Sequence, residues 1–403
     1  MDSLKTLSAV IAVAVTSILA TWHSADAADK IYKIGAPLPL TGALSPEGLR
    51  MKSGYDLWAK TQNEAGGIKA GDDTYKVEIT YSDYQSNTPR AVQSAELMIT
   101  EGKVDALFAP FGSGATKAVS AVSEKYGVPM IAAQAASAQV YDQGFKYLFG
   151  MYTPNSTVVQ PLVDLVQEKN PTVKKVAVLA RNDLFPLAIA EELSTYAKSK
   201  GLEIVSDQKF PIGTVDFGSA LTQIRAAQPD WIYATGYVND MILIRKQMQE
   251  QGVKTQLVTM LVGPSTPEFI ENTGKLAENV VTSTWWDVAA KFKGEDVFGS
   301  AENFEQLFRK TYNNIYPDYS VASAAACGAV LAIAVNKAGS VDKAKVRDRL
   351  ATMDTDTFYG HIKFGPTGQI SSLKPPAIQV QGGKPVVVLP ADIKQSELRF
   401  DKK

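Results

Sequence analysis

Cysteine and histidine are nearly missing from this chain: Cys327 stands alone, and His23 and His361 are the only histidines in 403 residues. One cysteine makes no intramolecular disulfide. The same scarcity removes any His/Cys cluster for zinc or copper and any Cys–His nucleophile pair. A Ser–His–Asp triad would have to use His361. That residue sits in Phe358-Tyr359-Gly360-His361-Ile362-Lys363-Phe364, an alternation that reads as a strand with the histidine on its more polar, solvated face. No G-x-S-x-G elbow and no Walker loop occurs. Carboxylate-only catalysis stays open, because two acids can meet from anywhere in a fold. Beyond the amino terminus no stretch offers eighteen uninterrupted apolar residues, which predicts a soluble mature protein with no direct membrane insertion. Net charge is lacking as well, at −1.

What is present begins with an export signal. Lys5 precedes an apolar stretch from Leu7 to Ala20, and Ser24-Ala25-Asp26-Ala27 supplies small residues of the A-x-A type. The pattern predicts a secretory signal peptide over 1–27, cut after Ala27, and a periplasmic location. Its removal takes Lys5, Asp2 and Asp26 from 41 basic and 42 acidic side chains, leaving forty of each. A balanced surface argues against nucleic acid or an anionic membrane as the main partner. The remaining chain, about 376 residues, exceeds what one core usually serves and predicts two domains.

Strand-like and helix-like segments alternate over short connections. Strands are expected at 32–37, 75–81, 104–108 and 128–132, and helices at 48–64, 89–101 and after Thr116. The pattern restarts with strands at 173–180, 203–206 and 231–234 and helices at 187–200, 217–227 and 240–251. Two such runs predict two doubly wound α/β lobes with parallel sheets, whose ligands bind at the carboxyl ends of strands. The segment Ala109-Pro110-Phe111-Gly112-Ser113-Gly114-Ala115-Thr116 lies at such an end, between a buried strand and a helix. Free N–H groups and the positive end of the helix dipole make it a ready anion site, although a serine-capped helix start with no ligand has the same sequence.

Several segments then resemble one family in order along nearly the whole mature chain. They are Tyr32-Lys33-Ile34-Gly35-Ala36-Pro37-Leu38-Pro39-Leu40-Thr41-Gly42, Asn63-Glu64-Ala65-Gly66-Gly67-Ile68 and Asp83-Tyr84-Gln85-Ser86-Asn87-Thr88-Pro89. Asp216-Phe217-Gly218-Ser219-Ala220-Leu221, Gln228-Pro229-Asp230-Trp231-Ile232-Tyr233 and Phe364-Gly365-Pro366-Thr367-Gly368 follow. Together they resemble the leucine/isoleucine/valine-type (branched-chain amino acid) periplasmic solute-binding proteins of ABC importers. The resemblance implies a type I periplasmic binding fold: two lobes joined by three crossovers, near Met151, Thr284 and Phe364. The N-terminal lobe would comprise 28–150 plus 284–364, and the C-terminal lobe 151–283 plus 365–403. It further implies a monomer without cofactor or metal, which closes on a small molecule and delivers it to an inner-membrane ABC permease and its ATPase.

The family's ligand positions carry over one at a time. Its carboxylate-binding serine falls on Ser113, with Phe111 and Gly112 as the adjoining backbone. The second carboxylate hydroxyl falls on Ala136, a departure that leaves Ser137 or an inward-turned Gln134 as substitutes. A tyrosine near the ligand's amino group falls on Phe185, and the acid that pairs the ammonium falls near Leu261, where no Asp or Glu stands. Tyr237 matches a pocket position. Tyr152, Trp285 and Trp286 join Phe111, Phe185 and Tyr237 as aromatic wall candidates. Burying an ammonium without a carboxylate costs several kcal/mol, so an aromatic or aliphatic carboxylate lacking an amino group is the favoured ligand. Glu47 stands where the family has a pocket tyrosine; as a relocated ammonium partner it would restore amino acids or amides. Asp183 and Asp240 read as solvated. A ligand sensor reporting to a membrane receptor is the alternative of another class, and an enzyme is disfavoured by the missing nucleophile and histidine constellations.

Overall fold

Short apolar runs flanked by polar residues become fully buried parallel strands, as Ala106-Leu107-Phe108 illustrates. The computed structural model describes residues 30–402. The expected signal peptide, 1–27, lies outside the described residues. The first run comprises β1 (Lys30–Leu38), α1 (Ser45–Glu64), β2 (Ile68–Ala70), β3 (Asp73–Asp83), α2 (Thr88–Thr100), β4 (Ala106–Phe108), α3 (Ser113–Tyr126), β5 (Met130–Ala132), α4 (Ala138–Tyr141) and β6 (Leu148–Gly150). The second comprises α5 (Ser156–Lys169), β7 (Lys175–Arg181), α6 (Leu184–Ser199), β8 (Glu203–Phe210), α7 (Gly218–Ala226), β9 (Trp231–Thr235), α8 (Val238–Glu250), β10 (Leu257–Leu261), α9 (Pro267–Thr273) and β11 (Val281–Ser283). Three helices follow, α10 (Ala301–Thr311), α11 (Tyr319–Ala338) and α12 (Lys343–Ala351), then a hairpin, β12 (Asp354–Thr357) and β13 (Gly360–Lys363), and finally β14 (Ala377–Gln381) and β15 (Lys384–Leu389).

One sheet has the order β2-β3-β1-β4-β5-β6 and the other β15-β14-β11-β10-β9-β7-β8. Pairing is parallel except at the edges, where β2 runs against β3, and β14 runs against both β11 and β15. In the first sheet β1 lies between β3 and β4, and in the second β7 lies between β8 and β9. At both places the strand order reverses, so the loops after β1 and β4, and after β7 and β9, diverge and leave a crevice. The chain leaves the first sheet after β6, returns after β11, and crosses again after residue 370 to β14. At that last crossing Gln369 donates to the carbonyls of Ala136 (3.2 Å) and Tyr152 (3.0 Å), tying the third crossover to the first.

Helix α11 returns to the first lobe and packs on α1. It is long and apolar enough to cross a membrane by length and composition, yet 89% of that window is buried inside the protein, so it is a core helix. Asp318 starts it, accepting from the N–H groups of Ser320 (2.9 Å) and Val321 (3.0 Å). The two helices touch where Gly328 faces Trp58: a Cβ there would sit 1.9 Å from Trp58 Cδ2. The expected strand over 358–364 is corrected to a hairpin whose turn holds Phe358 and Tyr359. His361 lies on β13, half-exposed, between Asp354 (Nε2, 3.1 Å) and Asp356 (Nδ1, 2.8 Å).

Candidate ligand site between the lobes

The loop after β4 ends at Gly112, whose φ of 84° and ψ of 155° suit a residue without a Cβ. Gly112 is the N-cap of α3, and no side chain caps the helix. The first N–H groups of α3 therefore lack both intrahelical and side-chain partners, as an anion site requires. Ser113 is the first helical residue, not the cap. It is fully buried, and its Oγ accepts from the N–H groups of Ala136 and Ser137, each at 3.3 Å. No acceptor takes its hydroxyl proton among the described residues. The serine thus stitches the β4 loop to the β5 loop, and Gly112 N–H reinforces the seam by donating to Gln134 O at 3.1 Å. Gln134 donates from Nε2 to Ser320 Oγ (2.5 Å). Ser137 occupies the N-cap position of α4, buried, with its Oγ bonded to nothing among the described residues.

A cavity of ≈ 20 Å³ lies beside this seam. Phe111, Gly112, Gln134 and Ala136 line it from the first lobe, Phe185, Tyr237 and Val262 from the second, Tyr152 and Trp285 from the crossovers, and Tyr319 from the start of α11. Such a volume admits about one water, so the lobes are shut on one another. Tyr152 stacks on Trp285 with centroids 4.1 Å apart and planes 4° from parallel, Phe185 leans on the same indole at 6.1 Å, and Phe111 meets Tyr237 edge-on at 5.1 Å across the interlobe gap. Six of the ten lining residues are aromatic, Gln134 has the only amide side chain, and none carries a carboxylate, ammonium or guanidinium. Burial drives the Tyr152 and Tyr237 phenols well above their ordinary range, so both stay neutral.

The charges lie behind the lining, each already engaged. Arg181 donates from Nη1 to both Asp240 carboxylate oxygens, at 3.0 and 3.2 Å, and places its guanidinium 4.9 Å from the Tyr237 ring. Asp240 also accepts from Tyr237 N–H (2.9 Å), and Asp183 accepts from Tyr237 OH (3.1 Å) and from Leu184 N–H (2.7 Å). The solvated reading of both acids is therefore corrected: a buried arginine and a lining tyrosine hold them. Glu47 is buried outside the lining, and its Oε1 accepts from Val238 N–H at 3.2 Å. Burial raises its pKa against the opposing pull of Arg50.

Leu261 is buried at the end of β10 and does not line the cavity; the next residue, Val262, does so with φ 68°. Trp286 is also moved from the wall to the core, where it donates to Phe358 O (3.2 Å) and meets Phe304 edge-on. Tyr319 escaped sequence reasoning. Its signal was Asp318, a helix cap preceding an alanine-rich run.

Members of the curated protein set resemble this chain along nearly their whole length. The Leu/Ile/Val-binding protein homolog 7 of Brucella abortus is 26% identical over 398 residues, covering 95% of this chain and 98% of the relative. The branched-chain amino acid transporter substrate binding protein LivJ of Streptococcus pneumoniae, solved with isoleucine, superposes with a TM-score of 0.79 at 27% identity, covering 90% of this chain and all of that one. A solute binding protein from R. palustris in complex with benzoate shares the fold, with a TM-score of 0.76, 18% identity, and coverage of 89% and 95%. The type I fold matches these structures. The model of the family described as "Periplasmic binding protein" spans residues 31–383, and the chain belongs to that family of ABC-transporter solute-binding proteins.

Proposed function

We propose that this protein captures a small aromatic or branched aliphatic carboxylate between its lobes and hands it to an ABC permease, without chemical turnover. The observation that carries the ligand class is the lining: six aromatic side chains and one amide, with no acid to pair an α-ammonium. Aromatic walls supply large apolar contact at small entropic cost. The ligand's carboxylate would meet the uncapped start of α3 and the free proton of the Ser113 hydroxyl. An ammonium stripped of water there would find no acid among the lining residues, and leaving it unpaired costs several kcal/mol. The reading follows a hinge mechanism: the ligand bridges both lobes in the closed form only, so its binding energy shifts the population toward closure.

Branched-chain amino acids are the second reading. Glu47 Oε2 is buried without a hydrogen-bond partner, and LivJ of Streptococcus pneumoniae was solved with isoleucine. The two readings separate in a thermal-shift screen of the mature protein, followed by calorimetry, with benzoate and phenylpropanoid acids against leucine, isoleucine, valine and phenylalanine. A ligand at a hundredfold excess over Kd adds about 2.7 kcal/mol of apparent stability. Stabilisation by the acids but not by the amino acids supports the proposal; tight binding of leucine, isoleucine, valine or phenylalanine overturns it.

A further inference from the structure

Two residues one turn apart at the start of α1 reach across the gap without touching the cavity. Glu47 Oε1 takes the N–H of Val238, the first residue of α8 in the opposite lobe, at 3.2 Å. That N–H is one of the orphan donors of a helix start, and a carboxylate there faces the positive end of the dipole. Arg50 Nη1 lies 3.0 Å from Glu268 Oε1 in the first turn of α9, also in the opposite lobe. Within its own lobe Arg50 is held by Asp318 (3.4 Å) and approaches Glu47 (3.9 Å). These are ion contacts without aligned hydrogen bonds at Nε and Nη1. Burial opposes the charge on Arg50, yet Asp318, Glu47 and Glu268 outweigh it and raise its pKa. Asn239 adds a bond to Ala43 O at 3.4 Å.

We propose that Glu47 and Arg50 form a closure latch: Glu47 caps α8 in trans and Arg50 grips Glu268, so that both residues position the second lobe against the first and neither contacts ligand. The inference rests on two-lobe closure and on the carboxylate reading, in which Glu47 pairs no ligand ammonium; the ligand-free test is decided without either ligand. Glu47 then belongs to the hinge equilibrium, and affinity for any ligand is set in part by how often the latch shuts the empty cleft.

The test needs no ligand. Cys327 is buried, so a pair of surface cysteines, one per lobe, accepts spin labels selectively. Interlobe distances are then measured in ligand-free wild type, Glu47→Ala and Glu268→Gln. Removing a helix cap should lower the closed-to-open ratio about fivefold in Glu47→Ala. Glu268 is half-exposed, so Glu268→Gln keeps the fold and should lower the ratio about two- to threefold. Raising sodium chloride should open the wild type and leave Glu268→Gln comparatively unmoved, because screening acts on the partly exposed pair. Distance distributions that neither substitution changes, or a wild type that is open under all conditions, overturn the latch.

Discussion

Ser113→Ala separates the two jobs of one hydroxyl. As an acceptor it holds the N–H groups of Ala136 and Ser137, both at 3.3 Å. Those bonds are long, so losing the acceptor falls at the low end of the penalty for an orphaned donor, about 1 kcal/mol each. For lobes of this size the two together lower Tm by roughly 4–8 °C. As a donor the hydroxyl has a free proton, and a bond to a charged ligand oxygen contributes about 1.5–3 kcal/mol. At 1.4 kcal/mol per tenfold, Kd should rise about 10- to 150-fold. Circular dichroism melts read the first effect, and calorimetry reads the second with the best-stabilising acid from the ligand panel. Ser137→Ala is the control, since its Oγ has no partner to lose and its melting should barely change. A Tm loss in Ser113→Ala with unchanged affinity would refute the anion-site reasoning and leave the serine as a loop staple. Affinity lost in Ser137→Ala instead would move the site one residue along.

Three further expectations follow from buried or strained positions. Cys327 is enclosed, and burial drives its thiol well above the ordinary value despite an opposing contact from Tyr55; native protein should resist a disulfide reagent that labels it at once in guanidinium. Gly328→Ala drives a methyl into Trp58 and should cost about 1–3 kcal/mol, a Tm drop of roughly 2–12 °C; an unchanged melt would mean α1 and α11 part freely. Burial pushes the Asp83 carboxyl up, but the Thr41 hydroxyl and the Gln85, Thr41 and Leu40 amides pull it lower overall. Its contribution is therefore present above about pH 3.9 and is lost as pH falls through the lowered value. Asp83→Asn should be less stable by about 0.5–1 kcal/mol at pH 7 after screening, and the gap should close toward pH 3; a gap that widens in acid contradicts the assignment.

Legibility in the sequence followed pattern strength. The expected helix over 89–101 appears as α2 because Asn87 and Pro89 punctuate its start, and the strand at 231–234 appears as β9 because its apolar run is bounded by polar turns. Helix α11 left no trace of amphipathic period, since it is buried on nearly every face and built from alanines, so the helix and its lining tyrosine went unread. In the site, Phe111, Gly112, Gln134, Ala136, Tyr152, Phe185, Tyr237 and Trp285 come together at the cavity, whereas Glu47, Ser113, Ser137 and Leu261 lie behind it. Residue type and order carry position along a strand end. They do not carry which carboxylate finds a partner first, and so Asp183 and Asp240 read as solvated although Arg181 and Tyr237 hold them, and the bond from Glu47 to Val238 could not be foreseen. Their engagement depends on Arg181 and on a helix start brought from the opposite lobe.

The union of α1 with α11 has a consequence for how the chain reaches this state. The first lobe cannot finish until residues from the far end of the polypeptide arrive, because Trp58 has its cover in Gly328 and its neighbours. The second sheet in turn waits for β14 and β15, its last two strands in chain order. A cut after β6 would part the two sheets but strip α11 from α1. Contacts of such wide sequence separation slow the search for the native topology, so refolding should be gradual and should lag secondary structure formation. A chain halted before residue 319 would leave one face of α1 bare, an apolar surface open to proteases and to self-association until the remainder appears.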